Sequence, residues 1–307
     1  MSQNECNTIH FAEVVVCVTA YNLEKYISKA LDSALIQITN FNYIIYVSED
    51  KSTDSTLNIL LDYQSRFPNT VFISSNKNNL GMMPNYLQTI ERTNSRYIAI
   101  LDGDDYWISP NKLQMQYDFL EGNPDYSLCW HDATIVDPNE TPISTFSNRF
   151  KGRDYSSFFD LKQVVKWKVL GATSSLFFRN YKSKFPLWTR NLYGTEVIIF
   201  MAMRQKGLLK YSDKNYSCYR VHTSSQEASF DKVSKSLRNI KEEKLLLSSF
   251  SPRLLSHFSK KIIWNRVYLM VYTLSKGEII FSLKMSLALI GDAWFILNHT
   301  KNEAIKL

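Results

Sequence analysis

Residues 97–105 read Tyr97-Ile98-Ala99-Ile100-Leu101-Asp102-Gly103-Asp104-Asp105, an unbroken apolar run that ends abruptly in three carboxylates and a glycine. A short continuous apolar run bounded by a turn signal suits a strand covered on both faces. Working outward from it, the first half of the chain alternates between two periods. Val14–Thr19, Tyr43–Ser48 and Val71–Ser74 are further apolar strands. Between them Leu23, Tyr26, Ile27, Ala30, Leu31, Ala34 and Leu35 repeat at helical spacing, as do Leu57, Leu60 and Leu61 behind the N-capping chemistry of Ser52-Thr53-Asp54. Pro84–Thr93 suits a helix with proline in its first turn. The alternation predicts an α/β fold with a mainly parallel, Rossmann-like sheet and helices on both faces. Right-handed crossovers then gather the strand C-termini along one edge, where ligands of such sheets bind.

The polar clusters fall on that edge: Thr19-Ala20-Tyr21-Asn22, Glu49-Asp50, Asn76–Gly81 and the acidic turn at 102–105. Carboxylates at a strand end suit a hard divalent cation that keeps water ligands and bridges phosphate oxygens. Such an ion stabilises the charge a diphosphate gathers as it departs. Asp50 lies where a carboxylate can accept a hydrogen bond from the N3–H of a pyrimidine, while Asp54 is the better placed capping acid. Capping by Glu49 and Asp50 is the plainer alternative.

Beyond residue 126 the pattern changes. Ser127–Val136, Val169–Phe178 and Tyr211–His222 read as strands, Asp137–Asp160 as irregular, and Val197–Met203 as a helix. His131-Asp132 suits a buried hydrogen-bonded pair, with acceptor contact as the alternative. Gly171–Ser175 suits either an acceptor-facing loop or a tight crossing. Residues 228–307 read as helical, with Leu254, Phe258, Ile262, Val267 and Val271 on one face, a break at Lys276-Gly277, and a further helix at Ile279–Ile290.

Taken in order, Val18-Thr19-Ala20-Tyr21-Asn22, Ser48-Glu49-Asp50-Lys51-Ser52-Thr53-Asp54, Asn79-Leu80-Gly81 with Asn85, and the 97–105 stretch resemble the successive signatures of family 2 glycosyltransferases over roughly residues 12–225. The resemblance implies a GT-A fold, an inverting mechanism and Mg²⁺ or Mn²⁺ as cofactor. It implies that Thr19, Tyr21 and Asn22 line the nucleoside pocket with Asn85, that Asp50 holds a uracil or thymine, that Asp102 approaches the ribose or the metal, and that Asp104 ligates the metal. Inversion needs a general base, and the matching helix start, Gly194-Thr195-Glu196-Val197, makes Glu196 the candidate. Tyr219-Arg220-Val221-His222 resembles a family element beside the donor phosphates, so Arg220 and His222 join the donor-binding set. The implied partners are a nucleotide-sugar donor and a glycan or lipid-linked oligosaccharide acceptor. The division expected is a tail at 1–11, a catalytic domain at 12–225 with donor (12–125) and acceptor (126–225) halves, and a helical C-terminal extension at 226–307.

Composition narrows the alternatives. A chain of 307 residues with 45% hydrophobic and 21% charged side chains is that of a globular protein. No glycine-lysine phosphate loop or GxGxxG is present, which disfavours kinases and dinucleotide enzymes. A sugar nucleotidyltransferase would open with a basic glycine-rich loop where this chain has Thr19-Ala20-Tyr21-Asn22. A non-catalytic sugar-nucleotide-binding subunit remains as an alternative. Cys6, Cys17, Cys129 and Cys218 form no CxxC pair and suit buried free thiols in a reducing compartment. The first residues lack a signal-peptide pattern and no run reaches about 18 uninterrupted apolar residues, so the expectation is a protein that is cytoplasmic or lies peripherally on the inner face of the membrane. Residues 228–307 hold 13 Lys/Arg against 6 Asp/Glu, which accounts for the whole net charge of +7. That excess suits an anionic membrane surface, with a solvated helix face and packing onto the catalytic domain or a partner as the alternatives, and the tail lacks the compact basic-aromatic motif that nucleic acid would require.

Overall fold

The 97–105 stretch forms a strand and the turn beyond it. The computed structural model describes residues 12–149, 164, 170–182, 184–192, 194–222, 231–249 and 252–301. The expected tail at 1–11, which includes Cys6, lies outside the described residues. In chain order come β1 (Ala12–Ala20), α1 (Ile27–Leu35), β2 (Tyr43–Glu49), α2 (Thr56–Arg66), β3 (Val71–Ser75), α3 (Met82–Arg92) and β4 (Ser95–Asp102). Then follow β5 (Tyr106–Trp107), α4 (Lys112–Gly122), β6 (Tyr126–Val136), β7 (Pro142–Thr145) and the single turn α5 (Phe146–Arg149). After a 3-10 turn at Thr173–Ser175 come β8 (Phe177–Arg179), a 3-10 turn at Leu187–Asn191, α6 (Thr195–Arg204) and β9 (Leu208–Arg220).

Among the described residues the strands form one sheet in the order β3-β2-β1-β4-β8-β6-β9-β5, with β7 added beside β6. The block β3-β2-β1-β4 is parallel throughout, as βαβ crossovers require. β8 turns the sheet antiparallel against both β4 and β6, and β9 runs parallel to β6. The result is the mainly parallel α/β sheet expected, with helices on both faces. Val14, Val16 and Val18 of β1 pack with Ile45, Val47, Tyr97, Ala99 and Leu101, and α1 closes this core with Ile27, Ala30, Leu31 and Ala34. Each such aliphatic side chain, fully removed from water, contributes about 1.5–3 kcal/mol. The free thiols of Cys17, Cys129 and Cys218 are buried, as expected.

Three local readings change. Where a strand was expected over 169–178, Val169 lies outside the described residues and β8 spans only Phe177–Arg179. The Ser175 hydroxyl bonds the Ala172 carbonyl at 2.6 Å, so the small polar residues close a 3-10 turn on their own backbone instead of joining the ladder. The irregular stretch expected over 137–160 contains β7 and α5, and its residues 150–160 lie outside the described residues. The two-residue β5 is too short to show a period, yet it pairs with β9 immediately beyond the acidic turn.

The chain divides into two compact units, residues 1–221 and 222–307. The second holds α7 (Lys232–Ser249), α8 (Pro252–Ser275) and α9 (Ile279–Lys301). α8 and α9 form an antiparallel hairpin about Gly277, whose φ of +77° suits a residue without Cβ. The buried Arg266 guanidinium bonds Asp292 at 2.7 Å, and Lys244 of α7 pairs with the same carboxylate. Of the face expected on α8, Ile262 is buried and Val271 is exposed, while the side chains of Leu254 and Phe258 lie outside the described residues. The sequence has no run of about 18 uninterrupted apolar residues, yet α9 is long and apolar enough to cross a membrane by length and composition. Residues Ile279–Leu297 have a mean hydropathy of 1.7, and only 17% of that window is buried. Lys284 and Asp292 interrupt the apolar run without lowering its average below that of a span.

Candidate active site

Parallel pairing brings the polar ends of three strands to one level. Thr19 lies in register with Ser48 on one side and Asp102 on the other. Backbone bonds extend the alignment past the strands: Asp50 N–H donates to the Ala20 carbonyl at 2.9 Å, and Gly103 N–H to the Thr19 carbonyl at 3.2 Å. Gly103 has to be glycine, since a Cβ there would sit 2.8 Å from the Thr19 carbonyl oxygen. This close approach tucks the chain against β1 and gathers Asp102, Asp104 and Asp105 in one tight bend.

The three carboxylates differ in surroundings. Asp102 is pushed up to about 8, first by burial and then by the charges of Asp104 and Glu196, against a hydrogen bond from Thr173. Asp105 is fully buried and raised well above the ordinary carboxylate range, by burial and then by its two acidic neighbours. Its Oδ1 accepts the Arg220 backbone N–H at 2.9 Å, while its Oδ2 is buried without a hydrogen-bond partner. Asp104 is partly exposed at the mouth of the turn.

Glu196 opens α6 in its first turn, where the helix dipole favours an acid. The Thr173 hydroxyl donates to its Oε1 at 2.9 Å, and its charge reaches Asp102. The fold therefore brings the candidate base and the acidic turn together from residues 94 positions apart in the chain. Tyr86 of α3 was not singled out in the sequence. Its hydroxyl is buried without a hydrogen-bond partner, and its pKa is raised by burial and then by Asp102 and Glu196. A tyrosine at helical spacing reads as ordinary core, so no local signal marks it.

Other candidates serve inside the protein. Both oxygens of Asp50 are engaged: Oδ1 by Leu80 N–H and Asn76 Nδ2, Oδ2 by Gly81 N–H, all at 2.9 Å. Asp50 thus fastens the 76–81 loop, which Gly81 can follow with its φ of +84°. One of the roughly four acceptor positions of a carboxylate is left for any base edge. Asn85 is buried and bonds Ser48 and Asn76, so its amide locks α3 to the end of β2. Asn22, in a left-handed conformation, bonds Thr53 N–H at 2.8 Å and ties the first loop to the second.

Arg220 also makes contacts within the protein. Its guanidinium donates to the carbonyls of Asp104 and Pro138 and to Glu140 Oε1 at 3.0, 3.2 and 3.1 Å, and lies 4.8 Å from the Tyr26 ring centre. A cation so enclosed holds the acidic turn in place. Its backbone N–H meets Asp105, so β9 clamps the turn from both ends. Tyr21 is exposed and Thr19 partly so at the rim. His222, buried, opens the second unit and is not assigned to this site. His131 and Asp132 do not bond each other's side chains. His131 Nδ1 meets the Asp132 carbonyl, and Asp132 takes N–H groups of Ala133 and Ser147.

Among the described residues no three His, Cys, Asp or Glu side chains converge as a complete metal cage. Asp102 and Asp104 lie together on the acidic turn at the end of β4.

The sequence pattern of glycosyl transferase family 2 matches residues 15–184, more than half of the chain. This chain belongs to that family. An uncharacterized glycosyltransferase of Methanocaldococcus jannaschii is 27% identical over 224 residues, 69% of this chain and 74% of that protein. The poly(ribitol-phosphate) beta-glucosyltransferase of Bacillus spizizenii is 34% identical over 112 residues, covering 36% of this chain and 18% of its own. Uncharacterized mycobacterial relatives are 31% identical over 137 residues, and the chain spans 40% of their length. Among solved structures, a mannosyltransferase from Pyrobaculum calidifontis in complex with GDP-Man and Mn²⁺ superposes with a TM-score of 0.55 at 12% identity, over 96% of this chain and 87% of the other. S. aureus TarS 1-349 in complex with UDP-GlcNAc gives 0.53 at 15%, over 94% and 91%. At such identities these likenesses concern the fold, which is that of glycosyltransferases.

Proposed function

We propose that this glycosyltransferase moves a sugar from a nucleoside diphosphate, a UDP-sugar in the first instance, to a glycan or lipid-linked acceptor with inversion, as a step of bacterial surface-polysaccharide assembly at the cytoplasmic face of the membrane. The observation that carries the reading is the meeting of Glu196 with Asp102 at the C-terminal edge of the sheet. Asp104, with Asp102 beside it, is the ligand set for Mg²⁺ or Mn²⁺. When bound, that ion offsets the charge gathering on the departing diphosphate. Thr19 and Tyr21 form the rim of the nucleoside pocket, and Asp50 shapes its floor by holding the 76–81 loop. Glu196, oriented by Thr173, takes the proton of the acceptor hydroxyl as that oxygen attacks the anomeric carbon from the face opposite the leaving group. The complexes of the fold neighbours with UDP-GlcNAc and GDP-Man, and the poly(ribitol-phosphate) acceptor in the name of one relative, support the donor class and a surface polymer.

The test is a donor screen. Protein is incubated with Mn²⁺ or Mg²⁺ and UDP-, dTDP- and GDP-sugars, and released nucleoside diphosphate is recorded beside Asp104→Ala. Slow metal-dependent release from one donor, lost in Asp104→Ala, is expected. Absence of calorimetric binding by every donor would overturn the reading. Binding without turnover, even with acceptor supplied, would favour the non-catalytic subunit.

A further inference from the structure

The apolar surface of the second unit lies on the α8–α9 hairpin. Ile280, Leu283, Leu287, Ile290 and Trp294 recur three and four residues apart, so they share one face of α9. With Trp264 of α8 they are each between 60 and 74% exposed. The Arg266–Asp292 ion pair fixes the register of the antiparallel helices, which puts Trp264 and Trp294, two residues farther from the hairpin turn, at one level. Between the helices near that level runs a groove of about 610 Å³, with Ile263, Val267, Ala293 and Ile296 in its walls. From Ile280 to Trp294 the stripe extends about 20 Å at the helical rise.

Exposed charge along this hairpin is mostly positive. Lys260, Lys276 and Lys284 are exposed, and Glu278 in the turn is the one exposed carboxylate among the described residues from 259 to 297. Asp292 is buried between Arg266 and Lys244. A face shared between two copies in water would ordinarily carry charges of both signs along its flanks to fix the pairing. A wide apolar face edged by lysines and anchored by tryptophans instead matches the chemistry of a lipid headgroup boundary. The buried ion cluster facing the hairpin's inner side, and Lys284 within the apolar stripe, suit a hairpin lying in the plane of the interface better than one crossing it.

We infer that the outward face of the α8–α9 hairpin docks on an anionic lipid bilayer, with Trp264 and Trp294 at the acyl boundary and Lys260, Lys276 and Lys284 toward acidic headgroups. The inference stands apart from sugar transfer, because vesicle binding needs no donor and donor binding needs no vesicle.

Flotation of the full chain with vesicles tests it. Protein is mixed with equimolar phosphatidylglycerol and phosphatidylcholine, or with phosphatidylcholine alone. The expected result is recovery with anionic vesicles about ten-fold above that with neutral ones, falling as salt rises. Leu287→Glu with Trp294→Glu, both at exposed positions, drops recovery to background while circular dichroism stays unchanged. Lys276→Glu with Lys284→Glu removes the preference for anionic lipid. Should the charged apolar-face variant misfold, quenching by brominated lipid replaces it: wild-type tryptophan emission falls on binding, and falls less in Trp264→Phe with Trp294→Phe. Wild-type protein that stays at the bottom with anionic vesicles overturns the inference. So does a concentration-dependent dimer in light scattering that is lost in Leu287→Glu with Trp294→Glu and never floats.

Discussion

At the scale of single residues, the site is a contest for partners among acids. Asp102 carries the raised pKa of a carboxylate crowded by Asp104 and Glu196, and a cation needs its ionised form. Because that pKa is raised to about 8, Mn²⁺-dependent donor binding is expected to strengthen as pH rises from 6 towards 8. Isothermal titration across that range checks it, and Asp102→Asn should flatten the profile. In the absence of metal the same shift works the other way on stability. Between the unfolded and folded values the native state holds the extra proton, so this group's contribution falls as pH rises through that window. Glu196→Gln keeps the Thr173 contact and removes the base. Transfer to an acceptor should drop by about 100-fold or more while donor affinity stays within about two-fold. Tyr86→Phe deletes a hydroxyl that has no hydrogen-bond partner within the protein. Stability should hold or rise, and a loss of donor turnover at unchanged stability would show that the hydroxyl serves ligand.

At the scale of elements, the acidic turn is held by β1 from beneath and β9 from the side. Gly103→Ala would press a methyl against the Thr19 carbonyl and the Ile27 and Leu23 side chains. Of these the carbonyl is the least able to yield. Overpacking of this kind costs about 1–3 kcal/mol, and denaturant melts should report it together with weaker metal binding. Arg220→Met removes the buried guanidinium from Glu140 and from the carbonyls of Asp104 and Pro138. Glu140 is 36% exposed and keeps its pairing with Lys29, so the loss falls on the hydrogen bonds to the two carbonyls, at about 1–3 kcal/mol. If Arg220 instead met the donor phosphates, the substitution would raise the donor KM and leave the melting temperature almost unchanged. A differential scanning measurement beside donor kinetics separates the two.

For the whole molecule, the antiparallel passage of β8 and β6 extends the parallel block and delivers Thr173, Glu196 and Arg220 to the edge where β1, β2 and β4 end. Lys112 of α4 lies fully buried beneath this sheet, 4.2 Å from the Trp107 ring centre, with its ammonium on Gln116 Oε1 at 2.7 Å. Burial pulls its pKa down to about 7. The unfolded chain binds the extra proton above that value, so the contribution of this lysine to global stability rises with pH, by about 1 kcal/mol from pH 7 to 8. Urea melts should show the rise in the wild type and a flatter dependence in Lys112→Met.

The sequence by itself determined the alternating strands and helices of the first half and the strand-end turn at 102–105. It also placed Glu196 at a helix start and put the basic excess at the C-terminus. These are local features, set by periodicity, capping and the chemistry of neighbours a few residues apart. Only the tertiary structure decided which polar groups are spent on the protein itself. Asp50, Asn85 and Arg220 look like ligand-binding residues in sequence, yet each finds partners 9 to 116 residues away. Tyr86 reads as core and has its hydroxyl in the electrostatic reach of Asp102 and Glu196. A buried donor or acceptor must be satisfied by whatever the fold brings near, and the distant side chain that will arrive is not written in the residues around it.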